Sequence, residues 1–392
     1  MNNLTPLYCR RGELDRFINN ITITPEQDKV LRDARKKIRI AIRAAFTEAR
    51  QYLRTQLDIT ESDMELITKI TPKFMTQGSY AYKTLNSPYY RSQEMDLDDG
   101  VYLPVSLLNS EPKQNKDWFF SIVDGALRKL AEEEGWEFTD KKDTCARVII
   151  PQCQAHIDVP LYAVPDERHE RMTEAAERSA LKMSEFLHRG RFQDMSLYLL
   201  DSNQVYLATR GKGWMKSDPL LIAHWLKREI ERKGERLRRV CRYLKAWRDF
   251  IWESGGPSSL TLMTLAAEAY PDDDHGRDDY ALFKVVEMLP GRLLGTVNNP
   301  ASPDETIYPR DGINREEISV MAQQLLNNLG SAMSGAHEKK NSIDLLVNRF
   351  GNRMPNRPQW IETISTAAAA ASVRDTAAVQ LKPNPIPNMR SG

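Results

Sequence analysis

Apolar residues recur along this chain with two different periods, and the change of period divides it. Over residues 25–57, Leu31, Ile38, Ile42, Phe46, Ala49, Leu53 and Leu57 return at helical spacing, which predicts a long helix with one buried face. Thr24 can cap it, Pro25 suits its first position and Gln27 completes a capping box. A break over 58–63 follows. Residues 115–134, with Trp118, Phe119, Ile122, Val123, Leu127 and Leu130, predict a second helix ending near Gly135.

Elsewhere in the first half the period is two, or the run is short and apolar. Met95-Asp96-Leu97-Asp98 alternates apolar and acidic residues as a strand does, so Asp96 and Asp98 share one face and Met95 and Leu97 the other. By the same alternation Asp99 falls on the opposite face, as a strand-end or turn aspartate before Gly100. Ala146–Ile150 and Ala155–Val164 are rich in β-branched residues and predict two more strands, the second an edge strand or one ending in a bulge because of Pro160. Residues 165–233 are polar, with no clean period. From Glu235 onward helices are predicted over 235–252, 259–270, 279–289, 315–329 and 336–350, separated by Gly, Pro and Asn. Strands early and helices late predict an α+β chain, a catalytic module followed by a helical one. We expect an α+β core over 1–230, a helical lobe over 231–360 and a flexible tail over 361–392, where Thr363–Ser372 is nearly all Ala, Ser and Thr.

Composition acts mainly by exclusion. The 392 residues carry a formal charge of +1, so nothing global marks a polyanion or membrane-surface binder. No apolar run approaches the ~18–20 residues that span a bilayer. The four cysteines are scattered without a C-x-x-C pair, against a disulfide framework or a zinc site and in keeping with a cytoplasmic protein.

The candidate chemistry lies in Gln77-Gly78-Ser79-Tyr80-Ala81-Tyr82 and the strand carrying Asp96 and Asp98. Gly78-Ser79 can offer backbone N–H groups and a hydroxyl to an anion, or can be an ordinary turn. Two carboxylates on one strand face suit Mg²⁺, which takes oxygen ligands and shares them with substrate phosphates. A pair of such ions needs a third carboxylate. Asp158, acidic within an apolar strand, is the best placed; its alternative is a partner for Arg147 or for backbone. No Walker A or G-x-G-x-x-G pattern occurs.

Gly-Ser, Asp-x-Asp on a strand and a third Asp on a later strand resemble the polymerase-β-like nucleotidyltransferases. The longer strings Gln77–Asn86, Met95–Pro104, His156–Tyr162 and Leu244–Asp249 resemble the bacterial cGAS/DncV-like synthases, closest to the cyclic GMP-AMP synthase branch, over roughly residues 25–350. The resemblance implies a mixed sheet and a helical lobe with the active site between them. It implies two Mg²⁺ ions (or Mn²⁺) on Asp96, Asp98 and Asp158, with Asp158 helping to activate a ribose hydroxyl. Gln77, Gly78, Ser79, Tyr80 and Ala81 would line nucleotide, Tyr82 would stack on a base, and Arg147, Lys245, Ser259 and Asp304 would contact nucleotide. ATP and GTP would be joined into a cyclic dinucleotide, an anti-phage second messenger acting on a downstream effector. An E1/E2-like accessory enzyme could conjugate the tail through Gly392. The remaining readings are a template-independent RNA nucleotidyltransferase and a catalytically silent sensor or scaffold.

Three other features read more simply. The basic run from Lys227 to Arg248 fits an amphipathic helix with a solvated face better than a nucleic-acid surface, and no Cys/His cluster supports DNA activation. Pro271–Asp279 looks like a calcium loop but has Phe283 where the twelfth-position Glu belongs. Cys145, Cys153 and His156 are too irregular for zinc.

Overall fold

The described residues of the computed structural model are 1–55, 61, 67–68, 70–108, 112–181 and 205–364. The chain begins with β1 (Asn2–Asn3), α1 (Thr5–Cys9) and α2 (Phe17–Asn20), followed by the long helix α3 (Pro25–Arg54). The capping box forms as the sequence predicts: Gln27 N–H donates to Thr24 Oγ1 at 3.2 Å, and Thr24 N–H to Gln27 Oε1 at 2.9 Å. Leu31, Ala34, Ile38, Ile42 and Phe46 make its buried face. Residues 56 and 57 and most of the predicted break lie outside the described residues.

Next come β2 (Lys73–Gln77), a helical turn α4 (Gly78–Ala81), β3 (Met95–Pro104), α5 (Pro112–Glu134), β4 (Glu137–Thr139), β5 (Cys145–Ile150) and β6 (Ala155–Val164). α6 (Asp166–Leu181) and the hairpin of β7 (Tyr206–Thr209) and β8 (Gly213–Lys216) complete this half. Seven described strands form one mixed sheet in the order β2-β3-β6-β5-β4, with β7 on β6 and β8 on β7. β3 and β6 run parallel, with Asp96 opposite His156 and Asp98 opposite Asp158. Apolar residues of α3 and α5 share one buried cluster with the sheet.

Two expectations need correction here. β6 is a central strand: β3 pairs with one edge, and the other passes from β5, ending at Pro160, to β7, starting at Tyr162. Pro160 is tolerated because it sits at that handover, where its missing N–H breaks no continuous ladder. Asp99 is no strand-end residue, since β3 runs on to Pro104. It is fully buried and gripped by Arg39 of α3, whose Nε and Nη2 donate to Oδ2 and Oδ1 at 2.6 and 2.5 Å.

The second half is α7 (Pro219–Lys233), α8 (Glu235–Ile251), α9 (Ser259–Ala269), α10 (Asp278–Arg292), a small hairpin β9 (Val297–Asn299) and β10 (Ser302–Tyr308), then α11 (Arg315–Ser334), α12 (Lys339–Phe350) and β11 (Glu362–Thr363). The five helices expected after Glu235 are present. α7, which lies in the stretch that showed no period, starts from Asp218, whose Oδ1 accepts from Leu220 N–H at 3.0 Å. Its core face of Leu220, Ala223, Leu226 and Ile230 is diluted by six charged residues in fifteen positions, or seven with His224, which hides the period.

Leu4, Leu7, Tyr8, Phe17 and Ile21 pack with the helices of the second half, far along the chain from their own position. β1 pairs with β11, Asn2 opposite Thr363, and Ile361 is buried. Residues 365–392, Gly392 among them, lie outside the described residues. The architecture is the expected α+β one, a mixed sheet joined to a helical lobe.

Candidate active site

The sheet and the helical lobe enclose a cleft of about 710 Å³. Gly78, Ser79, Asp96, Asp98 and His156 line it from the sheet side, and Lys245, Arg248, Ser259 and Arg310 from the helical side. The parallel β3–β6 register explains the first group. Residues opposite each other in adjacent strands project together, which places Asp96 beside His156 and Asp98 beside Asp158.

Three side chains converge there. One donor atom each from Asp96, His156 and Asp158 lie within 4.8 Å of one another. His156 Nε2 stands 3.0 Å from Asp96 Oδ1, yet the N–H does not point along that line, and both atoms are buried without a hydrogen-bond partner. His156 Nδ1 is 2.8 Å from Glu94 Oε2. Asp158 is gripped by Arg147, whose Nε and Nη2 donate to Oδ1 and Oδ2 at 2.6 and 2.9 Å, and by Lys142 at 2.7 Å. Burial alone would raise the Asp158 pKa, but hydrogen bonds from Arg147 and Lys142 outweigh it and hold the carboxyl below its usual range.

Asp98 takes a different path. Its carboxylate lies beneath Gly78, which adopts φ +63° and whose missing Cβ leaves the space that the carboxylate fills. Burial first, and then the neighbouring Asp96 and Asp158, push its pKa well above the ordinary carboxylate value. Asp98 remains a buried carboxylate beside two others despite Lys142 and Arg147 on Asp158, and next to it Asp96 Oδ1 and His156 Nε2 make no hydrogen bond. Those observations fit a divalent cation held by Asp96 and Asp158 with Asp98 behind them, and His156 adds an imidazole that the sequence reading set aside with the cysteines.

The opposite wall is cationic. Lys245 is buried and donates from Nζ to Thr84 O at 2.7 Å. Burial, helped by Arg248, lowers its pKa to about 8. Arg248 Nη1 donates to Ser259 Oγ at 3.1 Å, and its Nε and Nη2 hold Asp249 Oδ1 at 2.9 and 2.7 Å. Arg310 completes this side. Lys245 and Ser259 therefore line the same cleft as Asp96 and Asp98.

Other sequence-predicted residues sit elsewhere. Gln77 is buried under the cleft floor, where its Nε2 donates to Tyr102 OH at 2.6 Å and its Oε1 accepts from Tyr162 OH at 3.3 Å. Its side chain is a strut between two stacked tyrosines (rings 4.9 Å apart) and is not among the residues lining the cleft. Tyr80 turns to the long helix and donates to Asp28 Oδ1 at 2.6 Å. Ala81 packs on the helical core. Tyr82 lines the cleft but is 8% exposed, its hydroxyl directed at Pro219 O. Arg147 is committed to Asp158. Asp304 is exposed on β10 and is not among the residues lining the cleft. Lys142, Glu94, Arg248 and Arg310 escaped the sequence reading; only Arg248, inside the Leu244–Asp249 string, carried a signal.

Comparison with known proteins agrees with this geometry. A family model for the "Cyclic GMP-AMP synthase DncV-like, nucleotidyltransferase domain" matches residues 72–162, and one for the "Cyclic GMP-AMP synthase, C-terminal domain" matches 234–363. The chain is 32% identical to the cyclic GMP-AMP synthase of Vibrio cholerae, covering 90% of this chain and 91% of that one. It is 30% identical to a cyclic GMP-AMP synthase of Escherichia coli, over 91% and 93%. Among solved structures, a mutant of the V. cholerae di-nucleotide cyclase DncV in complex with ATP and GTP superposes with a TM-score of 0.77 at 30% identity, covering 93% of this chain and 100% of that one. The same enzyme in complex with the linear intermediate 5′-pppA(3′,5′)pG gives 0.75 at 29% identity, over 93% and 99%. The chain belongs to the DncV-like cyclic GMP-AMP synthase family of nucleotidyltransferases.

Proposed function

We propose that this enzyme joins ATP and GTP into cyclic GMP-AMP, with 3′,5′ linkages and release of pyrophosphate. The observation that supports this reading is one cleft lined by Asp96 and Asp98 from the sheet and by Lys245 and Ser259 from the helical lobe, with Asp158 beside Asp98 in the β3–β6 register. Phosphoryl-type transfer needs positioning and charge neutralisation more than covalent help. Mg²⁺ held by Asp96, Asp158 and Asp98 would supply charge for the phosphoryl oxygens and acidify the attacking hydroxyl; Mn²⁺ would also accept the His156 imidazole. Lys245, Arg248 and Ser259 hold the triphosphate tail. Arg147 and Lys142 keep Asp158 ionised, so it serves as a cation ligand rather than as a strong base. Ring closure repeats the step after the linear intermediate turns over in the same cleft.

The finer biological reading belongs to the same proposal: a cytoplasmic enzyme, where ATP and GTP are available, whose product reaches a downstream effector in bacterial anti-phage defence (CBASS). An E1/E2-like accessory enzyme acts on Gly392 in that reading. So does the division into 1–230, 231–360 and 361–392, amended because residues 1–21 and α7 pack with the helical lobe. Purified protein incubated with ATP, GTP, CTP and UTP plus Mg²⁺ tests the chemistry by mass spectrometry. Phosphatase-resistant cyclic GMP-AMP supports it. Elongation of added RNA would indicate an RNA nucleotidyltransferase instead, and no turnover in any mixture a silent sensor.

A further inference from the structure

A second cavity, of about 610 Å³, lies where the N-terminal lead crosses α8, and its lining includes five guanidinium groups, Arg11, Arg16, Arg236, Arg239 and Arg242, but a single carboxylate, Asp278. Arg236, Arg239 and Arg242 recur every three residues and so share one face of α8. Asp278 is already divided between two of them: it accepts from Arg239 Nε and Nη2 at 2.6 Å each and from Arg236 Nε at 2.8 Å. Of the other three, Arg242 and Arg16 hydrogen-bond only to neutral groups among the described residues. Arg242 donates to Asn86 Oδ1 at 3.0 Å, Ile21 O at 3.3 Å and Thr22 Oγ1 at 2.8 Å. Arg16 donates through Nη1 to Arg10 O at 2.8 Å, while its buried Nε has no partner. Arg11 is exposed at the rim.

Gathering like charges in a concavity is costly unless an anion compensates. Arg242 carries a separate cost, since burial lowers its guanidinium pKa to about 10. Guanidinium forks match phosphate oxygens in pairs, and several forks around one cavity match more than one phosphate. Among the described residues no aromatic ring lines the cavity to receive a base. We propose that this cavity is a binding site for an oligophosphate group, distinct from the catalytic cleft and held chiefly by Arg11, Arg16 and Arg242.

The site also touches the catalytic cleft. Asn86, which lines the cleft, accepts from Arg242 Nε and donates from Nδ2 to Arg242 O at 2.9 Å. An anion drawn to Arg242 pulls on a residue of the cleft wall, so occupancy is expected to change nucleotide KM more than kcat.

The test is calorimetric titration of the full chain with inorganic tripolyphosphate, in phosphate-free buffer with EDTA, and separately with ATP. Tripolyphosphate binding that falls at least tenfold in Arg11→Gln/Arg16→Gln, but not in Ser259→Ala on the cleft wall, assigns a free oligophosphate. A second ATP per chain that the same double variant loses, with tripolyphosphate silent, assigns a nucleotide-borne one. Unchanged affinity of the double variant for both probes, or no binding of either outside the cleft, overturns the proposal. A far-UV circular dichroism spectrum and a melting temperature like those of wild type show that the double variant is folded. The readout is binding without turnover, so the result is independent of which product the catalytic cleft makes.

Discussion

The Asp98 carboxylate occupies the space that a Cβ on Gly78 would need. Gly78 also sits at φ +63°, where any side chain is strained. Gly78→Ala should therefore cost about 1–2 kcal/mol from the backbone and displace Asp98. A displacement of about 1 Å near reacting groups can cost on the order of 100-fold in rate. We expect kcat to fall by about that factor while the melting temperature drops by only a few degrees. A variant with wild-type kcat would show that Asp98 need not be held under the turn.

Asp98 stands buried beside Asp96 and Asp158, so its charge destabilises the protein when no cation is bound. In metal-free buffer Asp98→Asn should raise the melting temperature and also abolish synthesis. EDTA should stop the wild-type enzyme, with Mg²⁺ or Mn²⁺ restoring it. Thermal melts and product assays of the same samples decide the matter: a melting temperature lowered by Asp98→Asn, or turnover that survives EDTA, contradicts the assignment of this cluster to a cation.

Lys245 gives the cleft a pH dependence. Burial, with Arg248, brings its pKa down to about 8 from an ordinary 10.5. Bound triphosphate favours the charged ammonium, so binding takes up a proton above pH 8, and KM should rise as pH increases from 8 towards 10. Stability moves the other way: the unfolded chain holds that proton up to about 10.5, so over the same window the nucleotide-free protein gains stability with pH. Lys245→Met should raise KM at pH 7 and remove both effects. Measuring KM and melting temperature from pH 7 to 9.5 in both proteins checks this.

Asp278 is fully buried and accepts from Arg236, Arg239 and Tyr243. Burial opposes its charge, but hydrogen bonds and charge from Arg239, with Tyr243 and Arg236, prevail and hold its pKa below 3.8. The stability it contributes is present above the unfolded carboxylate value and is lost as pH falls through the lower folded one. Asp278→Asn leaves Arg239 without its carboxylate and Arg236 with Asp274 alone, and should cost about 3–5 kcal/mol. Urea unfolding at pH 7 should show that loss, and the difference from wild type should shrink below pH 4.

The strands and helices that organise the cleft are legible because each carries its own period. Asp96 and Asp98 share a face by alternation alone, and the Thr24-Pro25-Gln27 signal marks the start of the long helix. Long-range partnerships are harder to see. Alternation puts Asp99 on the face opposite Asp98, but nothing local shows that Asp99 is buried and serves α3 through Arg39. Gln77 reads as part of a phosphate-binding string, yet Tyr102 and Tyr162, both on other strands, turn its side chain inward. His156 reads as an isolated histidine because its neighbour Asp96 is brought to it only by the parallel register of β3 and β6.

The pairing of Asn2–Asn3 with Glu362–Thr363 sets an order of events during synthesis. Leu4, Leu7, Tyr8 and Phe17 complete a core whose other walls come from residues between 223 and 361. The wall that carries Lys245 and Ser259 is therefore complete only when residues as far as Thr363 have left the ribosome. A translation product that stops short leaves the aspartates on their sheet without the cations that face them. Interrupted synthesis then yields an inert fragment rather than an enzyme consuming nucleotide before it is complete.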